Sequence, residues 1–372
     1  MKKFVKVVSV MLTVALIVCC FTGCGKKGDE VYFIGATGPL TGSAMSYGVS
    51  VQNGATLAVE EINAAGGLNG VNFKFEMLDD KATPEDASTG YDQLMDEGMQ
   101  ISLGSVTSGS CEAFASKAAT DGLFFMTPSA SAANVIADRP TAFRVCFGDP
   151  DQGVLAAEEL TKKYKKIGAI YDSSDAYSSG VYAAFKEEMA NLKVSYAEQS
   201  FDAENKRDFS TQVEALKDCD VIFLPIYYTE AGLIAKACAA KGCKAVLFGC
   251  DGLDGVADQV DASVTNDIKY ITPFDKNSTS EKTSAFVKAY KAKYNADPDQ
   301  FAADGYDAVY AIFEAMKAAG VNDAGIGYKE LGEKVIAAIT ADSFTFKGAT
   351  GEMKWDASGA CAKSPQIVEL SK

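Results

Sequence analysis

Short runs rich in β-branched and aromatic residues alternate with longer segments of helical periodicity along most of this chain. That rhythm restricts it to parallel sheets with helices on both faces. The first series opens with a buried strand over Val31–Ala36 and a helix over Gly48–Ala65, in which Val51, Ala55, Val59 and Ile62 share one face and Gly66-Gly67 ends the segment. A strand over Phe73–Leu78, a helix over Pro84–Glu97, a strand over Ile101–Gly104, a helix over Cys111–Asp121 and a strand over Leu123–Met126 continue it. A second series begins after Asp149-Pro150, with a helix over Gln152–Tyr164, a strand over Ile167–Tyr171 and a helix over Gly180–Leu192. Val194–Gln199, Phe209–Leu216, Val221–Pro225, Thr229–Lys241 and Ala245–Gly249 keep the rhythm, and Ser280–Tyr294 and Ala303–Ala319 add two helices. Two α/β series in a chain of 372 residues exceed what one core usually serves, so two lobes are expected. Open α/β sheets bind ligands at the carboxyl ends of their strands, which predicts a cleft between the lobes.

The N-terminus has a different character. Lys2, Lys3 and Lys6 precede an uncharged apolar run over Val7–Phe21, the layout of a secretory signal. The run falls short of the ~20 residues of a spanning helix. Phe21-Thr22-Gly23-Cys24 then resembles the bacterial lipoprotein cleavage box, with Phe21 where an aliphatic residue is usual. The resemblance implies that residues 1–23 are removed and that Cys24 is lipid-modified; an ordinary cleaved signal with an incidental cysteine is the alternative. Residues 24–30 read as a polar tether, and stable attachment implies more than one acyl chain. The expected location is the extracytoplasmic face of a bacterial cell membrane. Loss of the three lysines takes the formal net charge from -15 to -18. Such acidity argues against nucleic acid and anionic lipid as partners.

The sequence contains no histidine, which excludes Ser-His-Asp and Cys-His catalysis and histidine metal ligation. Beyond the anchor lie Cys111, Cys146, Cys219, Cys238, Cys243, Cys250 and Cys361, with no C-x-x-C pair among them. They read as buried thiols, although Cys238–Cys243 or Cys243–Cys250 is spaced to bridge. No metal and no cofactor is expected.

Two hydroxyl-rich loops follow strands of the first series: Ser105-Val106-Thr107-Ser108-Gly109-Ser110, which leads into a helix, and Thr127-Pro128-Ser129-Ala130-Ser131-Ala132. Either loop alone reads as helix N-capping. Two on neighbouring strands favour a site for a carboxylate. In the second series, strands end on Tyr171-Asp172-Ser173-Ser174-Asp175-Ala176-Tyr177, on Pro225-Ile226-Tyr227-Tyr228 and on Gly249-Cys250-Asp251-Gly252. Asp251 suits an ammonium group on the lobe opposite the carboxylate site; it equally suits a turn before Gly252, and the tyrosines equally suit packing.

Several stretches in register resemble the leucine/isoleucine/valine-binding proteins, the substrate-binding components of branched-chain amino-acid ABC transporters. They are Gly35-Ala36-Thr37-Gly38-Pro39-Leu40-Thr41-Gly42, Gly54-Ala55, Glu61-Ile62-Asn63-Ala64-Ala65-Gly66-Gly67, Asp79-Asp80, Thr127-Pro128-Ser129-Ala130-Ser131, Phe143-Arg144, Tyr177, Asp304-Gly305-Tyr306-Asp307-Ala308 and Trp355. The resemblance implies the type I periplasmic-binding-protein fold: two doubly wound α/β lobes joined by three crossing segments and closing on a ligand. It implies crossings at Gly148-Asp149, near Pro273 and near residues 347–355. Residues 31–148 with 274–350 would then form the N-terminal lobe, and 149–273 with 351–372 the C-terminal lobe. Ser108, Ser129 and Ser131 match the family's contacts to the ligand α-carboxylate. Asp251 matches its amine-binding acid, usually a glutamate. Tyr47, Tyr177, Tyr227 and Phe301 match pocket walls. Thr107 stands where some members carry a disulfide cysteine, so that bridge is not expected. The implied partners are a small zwitterionic amino acid and the permease subunits of an importer, with the chain acting as a monomer and not as an enzyme. A ligand sensor, or a receptor for amides or short peptides, would use the same fold. A surface hydrolase built on Ser108 or Ser129 with Asp251 lacks both a histidine and a G-x-S-x-G elbow.

Overall fold

The structure, a computed structural model, describes residues 30–370. Cys24 and the segment 1–23 lie outside the described residues. The first series forms β1 (Tyr32–Gly38), α1 (Met45–Ala64), β2 (Phe73–Asp79), α2 (Pro84–Asp96), β3 (Ile101–Ser102), α3 (Ser108–Asp121), β4 (Phe125–Thr127), α4 (Ala133–Ile136) and β5 (Ala142–Arg144). Their sheet is parallel throughout, in the order β2-β1-β3-β4-β5.

The second series runs α5 (Asp149–Lys163), β6 (Ile167–Asp172), α6 (Ala176–Asn191), β7 (Ala197–Phe201), α7 (Ser210–Leu216), β8 (Val221–Leu224), α8 (Tyr228–Lys241) and β9 (Val246–Gly249). Two 3-10 turns, Asp251–Leu253 and Val256–Gln259, lead to β10 (Ile268–Thr272). The chain then returns through α9 (Glu281–Tyr294), α10 (Gln300–Ala318), α11 (Tyr328–Ile339) and the hairpin β11 (Phe346–Gly348) and β12 (Gly351–Met353), and ends in β13 (Gln366–Glu369). The second sheet has the order β13-β10-β9-β8-β6-β7, parallel apart from β13 against β10. Both sheets reverse their strand order beside their first strand, so each has a switch-point crevice at its carboxyl edge.

The helical periodicity read from the sequence holds for α1, where Val51, Ala55, Val59 and Ile62 are all buried. What that periodicity does not reveal is how closely α10 crosses it. A Cβ on Gly54 would sit 1.9 Å from the Ala302 carbonyl oxygen, and one on Gly305 would sit 2.7 Å from that of Val51. The two helices therefore meet backbone to backbone, which only glycine allows. This crossing fastens the returning segment to the first sheet.

Thr272 and Phe274 flank the second crossing. The Thr272 hydroxyl donates to Gln300 Oε1 at 2.8 Å, and Phe274 packs with Leu57, Phe286 and Ala302. The last crossing comes later than the 347–355 expected. Residues 355–361 stay on the first sheet, because Arg144 donates its N–H to Gly359 O at 3.1 Å and Trp355 donates Nε1–H to Arg144 O at 2.7 Å. The chain leaves only after Lys363, whose ammonium donates to Asp304 Oδ1 at 2.6 Å and to Thr350 Oγ1 at 2.7 Å. The side chains of this pair are 1% and 4% exposed. Asp307, one helical turn on, accepts from the N–H groups of Ala349 and Thr350 and from the Thr350 hydroxyl. The two acids of the 304–308 motif thus anchor the last crossing. They do not face the ligand-sized cavity described below.

The described cysteines are all free thiols. Cys238 and Cys243 meet where α8 ends, with Cys243 N–H donating to Cys238 O at 3.0 Å. No helix among the described residues is long and apolar enough to cross a membrane.

Replacing Lys363 with methionine leaves Asp304 buried without its counter-charge. The expected cost is about 3–5 kcal/mol of unfolding free energy, read by urea denaturation of the soluble domain. A midpoint equal to wild type would show that the pair does not hold the crossing.

Candidate functional site

Between the carboxyl edges of the two sheets lies a cavity bounded by Tyr47, Val106, Thr107, Ser108, Ser129, Ser131, Tyr177, Tyr227, Asp251, Gly252 and Phe301. The eight ligand-site residues singled out from sequence all lie on this wall. The space between atoms is about 250 Å³. A larger recess of about 1320 Å³ beside α3 and Arg139 is open to solvent, and no buried unpartnered side-chain atom lines it.

The first-lobe half is made by the two hydroxyl loops, which are bonded into one unit. Thr127 donates its hydroxyl to Ser105 O at 2.8 Å, Ser129 donates to Val106 O at 2.7 Å, and Ala132 N–H donates to Ser108 Oγ at 3.2 Å. Arg144 lies buried underneath and donates Nη1–H to Ser131 O at 2.5 Å. The acid pair 79–80 holds the same edge. Asp79 accepts from Leu40 N–H and the Thr41 hydroxyl, and Asp80 accepts from Ser105 at 2.5 Å.

Capping, the bland reading of the first loop, does not occur through a side chain. Thr107 is the N-cap of α3 without a side-chain capping bond, and its hydroxyl donates to Ser110 instead. The first-turn N–H groups of α3, which have no acceptor within the helix, therefore open beside the Ser108 hydroxyl. Ser129 differs from its neighbours: its hydrogen is committed to Val106, so it offers the cavity an oxygen and not a donor.

The second-lobe half is aromatic and acidic. Tyr177 and Tyr227 stack with ring centres 5.2 Å apart. From the first lobe, Tyr47 meets Tyr227 edge-on at 5.5 Å and packs on its neighbour Phe301 at 4.2 Å. Gly252 N–H donates to the Tyr177 hydroxyl at 3.0 Å, and Asp251 N–H donates to Gln152 Oε1 at 3.1 Å. Gln300 Nε2–H donates to Asp251 O at 2.8 Å. These bonds fix the backbone of Asp251 and leave its carboxylate facing inward. The carboxyl is pushed up to about 6 by burial; Tyr177 and Gln152 nearby pull the other way. Its Oδ1 makes no hydrogen bond.

Asp149 and Gln152, which the sequence reading placed only at a crossing and in a helix, stand directly behind this wall. Asp149 is 1% exposed, and neither carboxylate oxygen has a hydrogen-bond partner. Burial raises this carboxyl well above the usual range; Ser131 and Arg144 oppose the shift, and Asp251 and Asp175 add to it. The Gln152 amide Nε2 and the Tyr227 hydroxyl are also buried without partners. No sequence signal separated Asp149 from an ordinary helix-start acid, since it occupies the first helical position of α5 before Pro150.

The lobes are bonded to one another around the cavity. Tyr47 donates its hydroxyl to Gly252 O at 2.5 Å and accepts from Tyr228 N–H at 3.1 Å. Thr229 donates to Ser43 O at 2.9 Å, and Gln300 N–H donates to Asp254 Oδ2 at 3.0 Å. Among the described residues no group of acids, cysteines and histidines is arranged to hold a metal ion.

A fold of two doubly wound lobes, three crossings and a polar cavity between strand ends is that of a type I periplasmic binding protein. A family model described as periplasmic binding protein matches residues 31–365, and the chain belongs to that family. It is 29% identical over 355 residues to a leucine-, isoleucine-, valine-, threonine- and alanine-binding protein of Pseudomonas aeruginosa, covering 94% of this chain and 91% of the relative. A crystal structure of a leucine-binding protein from Thermotoga maritima superposes with a TM-score of 0.81 at 25% identity, over 91% of this chain and 95% of that one. A branched-chain amino-acid transporter substrate-binding protein from Streptococcus pneumoniae, solved with isoleucine, superposes with a TM-score of 0.77 at 28% identity, over 92% and 100% of the two chains.

Tyr47→Phe removes both cross-lobe bonds of that hydroxyl and strands Gly252 O and Tyr228 N–H only in the closed form. The closed population should fall about tenfold, within the range for losing buried hydrogen bonds. Electron–electron distance measurements between spin labels on α2 and α7 would detect it; an unchanged distribution would remove Tyr47 as a lobe fastener.

Proposed function

We propose that this chain is the substrate-binding lipoprotein of an ABC importer and that it takes a small zwitterionic amino acid of the branched-chain group into the interlobe cavity. The observation that carries this reading is the division of the cavity into two halves. Hydroxyls and free helix-start amides lie on one lobe, and a buried carboxylate with an unpartnered Oδ1 lies on the other. An α-amino acid presents an anion and a cation a few ångströms apart, and each is desolvated at low cost only if it meets its counterpart.

Ser108, Ser131 and the first turn of α3 supply the donors for the α-carboxylate. Ser129 presents an oxygen to the ligand. Asp251 takes the ammonium, and Tyr47, Tyr177, Tyr227 and Phe301 enclose the side chain. The names of the Pseudomonas and Streptococcus relatives support an apolar amino acid. The small volume favours the compact members of the group.

No step of bond making is assigned, and the role is binding and delivery to permease subunits at the extracytoplasmic face. The lobes divide at the Asp149, Pro273 and Lys363 crossings. The signal-like start and the cleavage-box resemblance support a lipid on Cys24 that keeps the monomer beside its importer. Cys24→Ser should release the protein from membranes and abolish incorporation of labelled palmitate. Retention of both would remove the anchor from the reading.

Titration calorimetry of the soluble domain with L-alanine, L-threonine, L-valine, L-leucine and L-isoleucine tests the ligand class. Binding of at least one is expected, and Asp251→Ala should weaken it by about 100-fold or more, the scale of losing a charge-assisted bond. Absence of binding by all five would overturn the amino-acid reading. Full affinity in the Asp251→Ala protein would remove Asp251 from the site.

A further inference from the structure

Two carboxylates from opposite lobes meet at the start of α10, away from the cavity wall. Asp299, on the first lobe, is the N-cap of that helix. Its Oδ1 accepts from Ala302 N–H at 2.8 Å, and its Oδ2 accepts from the Ser50 hydroxyl of α1 at 2.6 Å. Asp254, on the second lobe, follows the 3-10 turn Asp251–Leu253. Its Oδ2 accepts from Gln300 N–H at 3.0 Å, and its Oδ1 accepts from the Tyr270 hydroxyl of β10 at 3.2 Å. Gln300 and Ala302 lie in the first turn of α10, so one helix end holds both acids. Both side chains are partly buried.

A helix N-terminus favours one capping carboxylate, because its free N–H groups and its dipole suit negative charge. A second carboxylate in the same turn meets the first as a like charge. The titratable groups facing Asp299 are Asp254, Asp304 of α10, Tyr290 of α9 and Tyr270 of β10. Those facing Asp254 are Asp299, Asp251, Tyr270 and Lys276. Lys276 is the one cation among these residues, and its ammonium is bonded to Asp297 at 2.8 Å. Burial pushes the Asp299 carboxyl up to about 7, with Asp254 the next cause, while Ser50 and Ala302 pull it back. Burial raises Asp254 as well, against its bonds from Gln300 and Tyr270.

We propose that Asp254 and Asp299 form a proton-sensitive latch between the lobes, in which closure brings the two carboxylates together and takes up a proton from solvent. The latch uses no atom of a ligand, so it stands or falls separately from the amino-acid reading. When the lobes part, Asp254 leaves with its own lobe and Asp299 remains a hydrated N-cap, with a carboxyl in the usual range near about 4. In the closed form a protonated Asp299 keeps both of its contacts. Oδ1 still accepts from Ala302, and the Ser50 hydroxyl rotates to accept the new hydrogen on Oδ2.

The closed form therefore holds the proton more tightly than the open form. Below about pH 4 Asp299 is neutral in both forms, and the latch opposes nothing. Between about pH 4 and about pH 7 the cost of closing grows with pH, by at most about tenfold per unit, and above that it is constant. Acid favours the closed arrangement, and a neutral medium favours the open one.

Asp149 and Asp251 add a pH dependence of their own at the lobe junction, so amide variants isolate the latch. The experiment uses the ligand-free soluble domain with spin labels on α2 and α7, and reads the closed-to-open ratio from electron–electron distances. In wild type the ratio should fall about tenfold or more from about pH 5.5 to about pH 7.5. Asp299→Asn removes the charge and keeps the cap, since asparagine serves equally well there. Its ratio at about pH 7.5 should rise about tenfold or more above wild type, and its pH dependence over that range should flatten by a similar factor. Asp254→Asn can keep its oxygen on Gln300 N–H and should behave in the same way. The double variant should gain less than the two single gains combined, as expected of acids that act on each other.

An Asp299→Asn protein with the wild-type ratio and the wild-type pH profile overturns the latch. A lower ratio at every pH in either variant also overturns it, by showing the bonds of α10 to be structural fasteners. Fully additive gains would show two independent acids and overturn the pairing.

Discussion

A carboxylate taken out of water and given no partner must be answered, and the architecture of this protein is arranged around that demand. Both oxygens of Asp149 and Oδ1 of Asp251 are buried at the junction of the lobes without a hydrogen-bond partner. When the lobes part, water hydrates them. When the lobes close, only a cationic group can replace that water at comparable energy. On the proposed function, the two-lobed plan, the crossings and the bonded loops serve to bring an opposing surface onto these acids and to withdraw it again.

For that to work, each lobe must move as a body. The first lobe is stiffened where α1 and α10 touch through Gly54 and Gly305, and where Asp79 and Asp80 hold the loops after β1 and β3. Its two hydroxyl loops are bonded to each other by Thr127, Ser129 and Ser108, so the donors keep their spacing through any domain motion. In the second lobe Gln152 fastens the Asp251 N–H, while Gln300 of the first lobe holds the Asp251 carbonyl from across the cleft. Flexibility is thereby confined to the three crossings, and the last of these is anchored on one side by the Lys363–Asp304 pair.

Much of this was legible in the residues, for reasons of different strength. The β/α alternation needs no tertiary information, since periodicity and strand-ending glycines report it directly. The hydroxyl loops and Asp251 were visible because they break the pattern expected after buried strands. Family likeness then selected the aromatic walls, which composition does not distinguish from core. What stayed hidden depends on contacts distant in sequence. Asp149 looks like any acid at a helix start, and its isolation appears only once Ser131, Asp251 and Gly180 surround it. Ser129 looked like a donor until the Val106 carbonyl took its hydrogen. The helix Tyr328–Ile339 and the strands Ile268–Thr272 and Ala142–Arg144 were not assigned. The last crossing was placed too early because nothing local shows that Gly359 pairs with Arg144. Helices α3, α5 and α6 each begin about three or four residues earlier than their apolar pattern suggests, since their first turns are polar and belong to the site.

The balance between the two lobe arrangements follows from which groups each arrangement satisfies. Closure gains Tyr47 on Gly252 and Tyr228, Thr229 on Ser43 and Gln300 on Asp254, and none of these bonds involves a ligand. Taken alone they would favour a permanently shut molecule. Against them stand both oxygens of Asp149, Oδ1 of Asp251, Nε2 of Gln152 and the Tyr227 hydroxyl, which are buried without a hydrogen-bond partner. The nearby Asp251 adds to the cost of ionising Asp149. On the proposed reading, a bound ammonium would reverse the sign of this second contribution while leaving the first untouched, so the ligand would act on the equilibrium through the difference alone. A pocket satisfied by its own residues would close without regard to ligand. On the proposed reading, leaving these atoms unpaired lets closure report that the cavity is filled.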